Sequence, residues 1–284
     1  MEKLTITTVA DPMMGMLWET WPTMRKLETH FPNQIEVHYL MGQLVKDVYD
    51  LVDQNVMKKY DKTVALNQYW TKLMQIYYQE QSIGNMPIYM GGDERLFDTE
   101  HTSSIPLNKG LRAIAGRDSK LEDQVLYEMQ YDTVVNDKQT NNINYLVSLA
   151  KKFGIDKNKF KNAYNSDAVQ AELDREQSML YQMKITQLPS YLITYQGKTF
   201  IIKGIPRYSD WLSLIKQVTN DQIKEQKVKF DFDHLKKFID EHPHISSLEL
   251  KEAFDANEKD VVKMLSDTDL EQTNVKEVMF YRKK

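Results

Sequence analysis

The chain contains no cysteine among its 284 residues. Disulfides, thiolate nucleophiles, iron–sulfur clusters and thiolate metal sites are therefore excluded together, since each needs that side chain. Glycine and proline are also scarce, at 10 and 8 residues, which favours helices over open loops. Long apolar runs are missing. The apolar stretches span only a few residues, as in Tyr191-Leu192-Ile193, whereas a membrane-spanning helix needs about 20. No block of lysine or arginine appears and the formal net charge is −4, so tight binding to nucleic acid through phosphate neutralisation is not expected. The segment before the first strand lacks a basic and apolar leader, and a cytoplasmic location is the expectation.

Six histidines remain, of which only His242 and His244 are close together, with Pro243 between them. No spacing of histidines and acids forms a recognisable ligand set, so no metal is expected and the pair is read as structural or solvated. The loop "YMGGDERLFD" at 89–98 lacks the Lys-Ser or Lys-Thr and the preceding strand of a phosphate cradle. Asp93, Glu94 and Asp98 there read as a solvated turn rather than a cation site.

What is present is periodicity. Residues 3–9 alternate as a strand, 18–29 read as a helix kinked by an internal Pro22, and 34–41 alternate again, giving a β-α-β unit. Helical spacing then covers about 44–59, 63–80, 105–115, 119–136, 139–153 and 157–165. A further long helix follows behind an N-cap at Ser166. Strand signals return at 188–204 with a Gln196-Gly197 hairpin turn, and a helix capped by Ser209 carries Trp211, Leu214, Ile215 and Val218. Residues 228–284 read as three helices, at about 233–241, 246–254 and 257–267, followed by a strand at 275–281.

The stretch "TTVADPMMGMLW" ends a strand at Asp11-Pro12 and opens a helix, with Met14-Gly15-Met16-Leu17 at the junction. Together with Pro22, it resembles the active-site opening of the DsbA family, especially its FrnE-like branch. Those proteins typically read Asp-Pro-x-Cys-x-x-Cys-Trp at this point. Met14 then stands at the position of the nucleophilic cysteine and Leu17 at that of the resolving one. "MKITQLPSYLI" resembles the family's cis-proline loop and places Leu188 and Pro189 opposite the turn. "GKTFIIKGIPRYSDWLSLI" looks like the closing hairpin and helix.

The resemblance implies an α/β fold of the thioredoxin type over residues 1–225, with a large helical insertion at about 42–187. A small winged-helix-like domain follows at 228–284. This layout is similar to cytoplasmic adaptors of the SpxH/YjbH type, which present the regulator Spx to the ClpXP protease. A methionine thioether has no ionisable proton and cannot form a mixed disulfide, so no catalytic residue and no cofactor is expected. The expectation is a catalytically silent protein whose partner is another protein, an Spx-like regulator or a Clp protease component.

The docking face would be the old active-site face, Pro12, Met13, Met14, Met16, Leu17, Trp18, Leu188 and Pro189, forming an adaptable apolar patch. The alternative is an enzyme of this family working without its own cysteine, in the manner of a glutathione transferase. No serine stands at 13–17 to serve it, and Thr20 lies a turn away. DNA binding by the C-terminal module is disfavoured, because residues 231–284 hold thirteen acidic against nine basic residues and Glu258 and Asp260 open its candidate recognition helix.

Overall fold

A computed structural model describes residues 2–284. Strands β1 (Leu4–Ala10) and β2 (Ile35–Met41) lie parallel, in register from Leu4 opposite Ile35 to Ala10 opposite Met41. Two helices join them, α1 (Gly15–Trp18) and α2 (Trp21–His30). The single kinked helix expected here is instead broken at Glu19-Thr20, and Pro22 falls in the first turn of α2. A proline is tolerated there because its missing N–H would have no intrahelical acceptor.

The region expected as one helix over 44–59 also differs. It forms a 3-10 turn at Val48–Asp50 and a short α3 (Gln54–Lys59). Side-chain capture of the backbone explains the break: Asp47 accepts from Tyr49 N at 3.0 Å and Asp53 from Asn55 N at 2.8 Å. The helical insertion continues with α4 (Lys62–Glu80), α5 (Ile105–Ala115), α6 (Ser119–Val134), α7 (Ile143–Lys152), α8 (Lys157–Tyr164) and α9 (Asp167–Gln182). Ser166 caps α9 as expected, accepting from Val169 N.

Strands β3 (Ser190–Tyr195) and β4 (Lys198–Lys203) complete a four-stranded sheet of order β2-β1-β3-β4, with β3 antiparallel to β1. The hairpin turn places Gln196 at φ +48° and Gly197 at φ +73°, the paired positive φ that a two-residue turn of the right twist requires. Helix α10 (Tyr208–Val218) starts one residue before the expected cap. Asp210 accepts from Arg207 N, so Arg207 is the N-cap and Ser209 lies inside the first turn.

After residue 227 come α11 (Phe232–Glu241), β5 (His244–Ser246), α12 (Ser247–Ala253), α13 (Glu258–Leu265), β6 (Glu271–Val275) and β7 (Val278–Arg282). The single terminal strand expected is therefore a hairpin joined by a third short strand, in order β5-β7-β6. β6 reads Glu-Gln-Thr-Asn-Val and is largely exposed, so it offers no apolar alternation to detect.

Four apolar clusters organise the interior, the smallest packing Val9, Leu40 and Leu192 of the sheet against Leu180 and Ile185. One packs the sheet against α2 and α10 through Leu4, Ile6, Leu27, Trp211 and Ile215. Another lies within the C-terminal segment around Leu235, Ile245, Leu250, Val261 and Tyr281. The largest fills the helical insertion and surrounds α1, and it includes Val278 and Phe280. β7 thus shares its residues by strand alternation: Tyr281 faces the C-terminal segment's own core, while Val278 and Phe280 enter the other.

Polar contacts fix that docking. Arg25 is 3% exposed and its guanidinium meets Asp123 Oδ2 at 2.8 Å, Glu249 Oε1 at 3.3 Å and Glu28 Oε2 at 3.4 Å. Glu249, fully buried, also accepts from Tyr127 OH at 2.6 Å. Thr29 Oγ1 donates to Ala253 O at 2.5 Å. His242 and His244 are structural rather than solvated. Both are buried, with His242 Nε2 3.0 Å from Glu28 and His244 Nδ1 3.1 Å from Glu128. Among the described residues no helix is long and apolar enough to cross a membrane.

Removing the cation from such a cluster strands buried carboxylates. The Arg25→Met variant is expected to lose about 3–5 kcal/mol of stability in urea unfolding. A loss within experimental error would mean that the cluster does not hold the segment down.

Candidate functional site

The turn after β1 is organised by one carboxylate. Asp11 is fully buried and accepts four hydrogen bonds: from Met13 N (3.1 Å), Leu44 N (2.8 Å), Ser104 Oγ (2.7 Å) and Asn108 Nδ2 (2.9 Å). Burial pushes its carboxyl up from the usual aspartate value, against the opposing pull of those donors. Asp11 therefore ties the turn to the loop after β2 and to α5.

Met14 is the N-cap of α1, where the nucleophile of a redox relative would sit. Its surroundings are closed on every side. Tyr77 OH donates to Met13 O, and Gln130 Nε2 donates to Met14 O at 3.2 Å while its Oε1 accepts from Trp21 Nε1 at 2.7 Å. Trp18 Nε1 donates to Pro87 O at 3.1 Å. The Trp18 ring stacks on Phe280 at 6.3 Å with an 11° interplanar angle, and Tyr127 packs at 5.2 Å. Gly15 leaves no room either, since a Cβ there would meet Tyr77 Cδ1 at 2.5 Å.

These contacts overturn the expected exposed patch. Met13, Met14, Leu17 and Trp18 are 2, 5, 3 and 0% exposed, and Pro12 and Pro189 are buried. Only Met16 and Leu188 of the eight residues keep partial exposure. The cause is tertiary: α4, α6 and β7 cover the turn. The residues that do so (Tyr77, Gln130 and Phe280) escape a local reading because they lie 60 or more positions away. The unbroken apolar run Val278-Met279-Phe280-Tyr281 is the local hint that Phe280 is buried.

The second half of the expected site does assemble. Leu188-Pro189 is a cis peptide bond. Ser190 pairs with Val9, which sets Pro189 beside Ala10 at the same end of the sheet as the turn. Next to it opens a groove of about 670 Å3. Its walls are Gly42, Leu44 and Lys46 after β2, Gln177 and Tyr181 on α9, and Leu188. Gly42 lies directly against the Leu188 side chain. Tyr181 is 86% exposed and Leu44 45% exposed at the rim.

Two acids flank the turn from below. Glu19 Oε2 accepts from Gly84 N (2.9 Å) and Met86 N (3.0 Å), and among the described residues its Oε1 has no partner. Burial pushes Glu19 up to about 8 and Glu80 up to about 7. Glu19 is 2% exposed, so it braces the segment before Pro87 and has no access to a substrate. Among the described residues no group of three His, Cys, Asp or Glu could hold a metal ion. At 93–98, Asp98 is occupied by His101 and Gln139, and Glu94 accepts from Gln139 N.

A βαβ start, a cis-proline leading β3 and a closing β-hairpin with its helix define the thioredoxin class of fold. Residues 8–209 match the family described as thioredoxin, and the chain belongs to that family. Its structure is similar to a candidate protein disulfide isomerase from Nitrosomonas europaea (13% identity, TM-score 0.61, covering 78% of this chain and 100% of that one). It is also similar to the cytosolic disulfide reductase DsbM from Pseudomonas aeruginosa (14%, 0.56, 76% and 98%). A candidate DsbA oxidoreductase from Streptomyces coelicolor is a third (14%, 0.56, 80% and 94%). The fold is therefore that of DsbA-like oxidoreductases with a helical insertion, and the thiols on which their chemistry depends are absent. The search of curated proteins gave no match.

A Met14→Cys/Leu17→Cys variant should expose neither thiol to a bulky aromatic disulfide until the protein is unfolded, and insulin reduction should stay at background; thiols reacting as fast as free cysteine would show an open turn. For Glu19, the folded value lies above the ordinary 4.5. Its contribution is therefore fully present below pH 4.5 and is lost as pH rises through about 8. Glu19→Gln should gain stability relative to the parent between about pH 5 and 8.5, on the order of 2 kcal/mol, read from urea midpoints. An unchanged difference across that range would refute the buried proton.

Proposed function

We propose that this thioredoxin-family protein carries out no thiol chemistry and acts by holding another protein, as a cytoplasmic protease adaptor of the SpxH/YjbH type. The observation that carries the reading is the pairing of a closed, cysteine-free turn with an open groove beside the cis-proline. Redox relatives need an accessible thiolate at the turn, whereas strand-like capture of an extended peptide needs only backbone groups and flanking pockets. Leu188 supplies the residue before the proline, and Leu44 and Tyr181 supply apolar surface on either side of the groove. The docking face thus moves from Met14 to this groove.

The order helix, strand, helix, helix, hairpin after residue 227 supports the adaptor layout, with an Spx-like regulator as client and a Clp protease component as second partner. The acidic balance of this module speaks against a nucleic-acid role.

Tyr181→Asp and Leu44→Asp should each weaken capture of the client by more than tenfold, the scale of an interface anchor worth about 2 kcal/mol. Tyr60→Asp, also on an exposed side chain, should leave capture unchanged. Capture insensitive to both groove variants would discard this face, and glutathione-transfer activity of the purified protein would overturn the reading altogether.

A further inference from the structure

The two edges of the four-stranded sheet are treated differently. β2 is capped by side chains from the helical insertion. Arg112 Nη2 and Arg117 Nη1 donate to Tyr39 O at 2.8 and 3.0 Å, Glu176 Oε2 accepts from Met41 N at 3.1 Å, and Gln177 Nε2 donates to Met41 O at 2.9 Å. Its charged end is satisfied too, with Glu36 paired to Lys3 at 2.8 Å.

Among the described residues, β4 has none of this. It is the last strand of the sheet, paired with β3 alone. Five of its six residues are exposed, including Phe200 at 41% and Ile201 at 40%. Phe200 stands opposite Ile193 and Ile201 opposite Leu192, so these two apolar side chains project from opposite faces of the same open edge. Lys198 and Lys203 bracket the strand, and among the described residues neither ammonium meets a carboxylate. No acidic residue occurs between 196 and 209.

We infer that the β4 edge is a second protein-binding surface, which adds an extended strand from another protein with an apolar centre and a carboxylate near each end. Strand addition draws on the unpaired N–H and C=O groups of an edge. Phe200 and Ile201 give the incoming strand apolar contact on both faces, and the lysines set the charge at its ends. A second copy of the chain is a poor occupant. β4 holds no acidic residue, so a second copy paired along this edge would bring two more lysines and no carboxylate to answer them. The surface is independent of the cis-proline groove, which is bounded by α9 and the loop after β2.

The test uses an end-blocked, fluorescein-labelled octapeptide of alternating valine and threonine with a glutamate at each end, titrated with the full chain. Saturable anisotropy is expected. A Lys198→Glu/Lys203→Glu variant with unchanged circular dichroism should bind it about tenfold more weakly, as two exposed pairs turn from attractive to repulsive. The same variant should prefer a lysine-ended version of the peptide. N-methylation of alternate residues of the peptide should abolish binding by blocking the ladder. Absence of saturation, equal binding by parent and variant, or retained binding of the N-methylated peptide would each overturn the inference. So would a parent protein that sediments as a dimer and is returned to monomer by Ile201→Arg, which would assign the edge to a second copy.

Discussion

A guanidinium cannot sit in an interior without carboxylates around it, and the C-terminal segment is placed by that requirement. Arg25 lies in the middle of α2, nearly without exposed surface. Asp123 and Glu28 alone would leave its Nε unserved. Glu249, from α12, supplies the remaining acceptor, and the same carboxylate is held by Tyr127 and by Ser246. The nearby carboxylates drive Arg25 still further toward its charged form, while Arg25 and His242 hold Asp123 below the usual aspartate range. Each partner therefore makes the others affordable as ions, and the cluster forms only when α2, α6 and α12 meet. Once they meet, β7 has one place to go, with Phe280 against Trp18.

That placement changes what the old active-site turn can be. In a redox protein the helix start must be reachable, because a thiolate acts by attack on an incoming disulfide. Here the turn is filled by methionine and leucine, and methionine suits the task because its unbranched thioether adapts to irregular space. Met13, Met14 and Leu17 join Met41, Met86 and Met90 in one apolar cluster. The absence of cysteine and closure by the C-terminal hairpin act in the same direction. The dry interior beneath the turn keeps Glu19 in its neutral form, because burial disfavours the carboxylate.

The parts of the fold legible in the sequence are those set by local pattern. β1, β2 and the β3–β4 hairpin follow from strict alternation and a Gln-Gly turn, and α5 from its helical spacing. The misread elements failed where a short-range side chain or a distant contact decided the outcome. Asp47 and Asp53 broke the helix expected over 44–59, and β6 carries no apolar pattern because it packs almost nothing. The site was half legible. Leu188, Pro189 and the turn residues could be brought to one end of the sheet by resemblance to known proteins, yet their exposure could not be read. Methionines next to a tryptophan look the same in sequence whether they face solvent or Phe280, and Phe280 is 262 positions from Trp18. Arg25 has the same problem, since Glu249 is separated from it by 224 residues.

The sheet carries the last step of the synthesis. An insertion of helices between β2 and β3 covers one edge and leaves the other as bare backbone, because α5, α6 and α9 all return on the β2 side. β4 then follows β3 by a two-residue turn and has no later element to lean on, since the chain leaves through α10 across the face. A bare edge is a hazard for self-association, and lysines at both ends are an economical defence because they repel a second copy while leaving the backbone groups free. Lysines that disfavour a second copy would favour an oppositely charged strand, so protection and recognition need not be separate features of β4. With the turn closed and no cysteine in the chain, the groove beside Pro189 and this edge are the two surfaces whose geometry suits an extended chain.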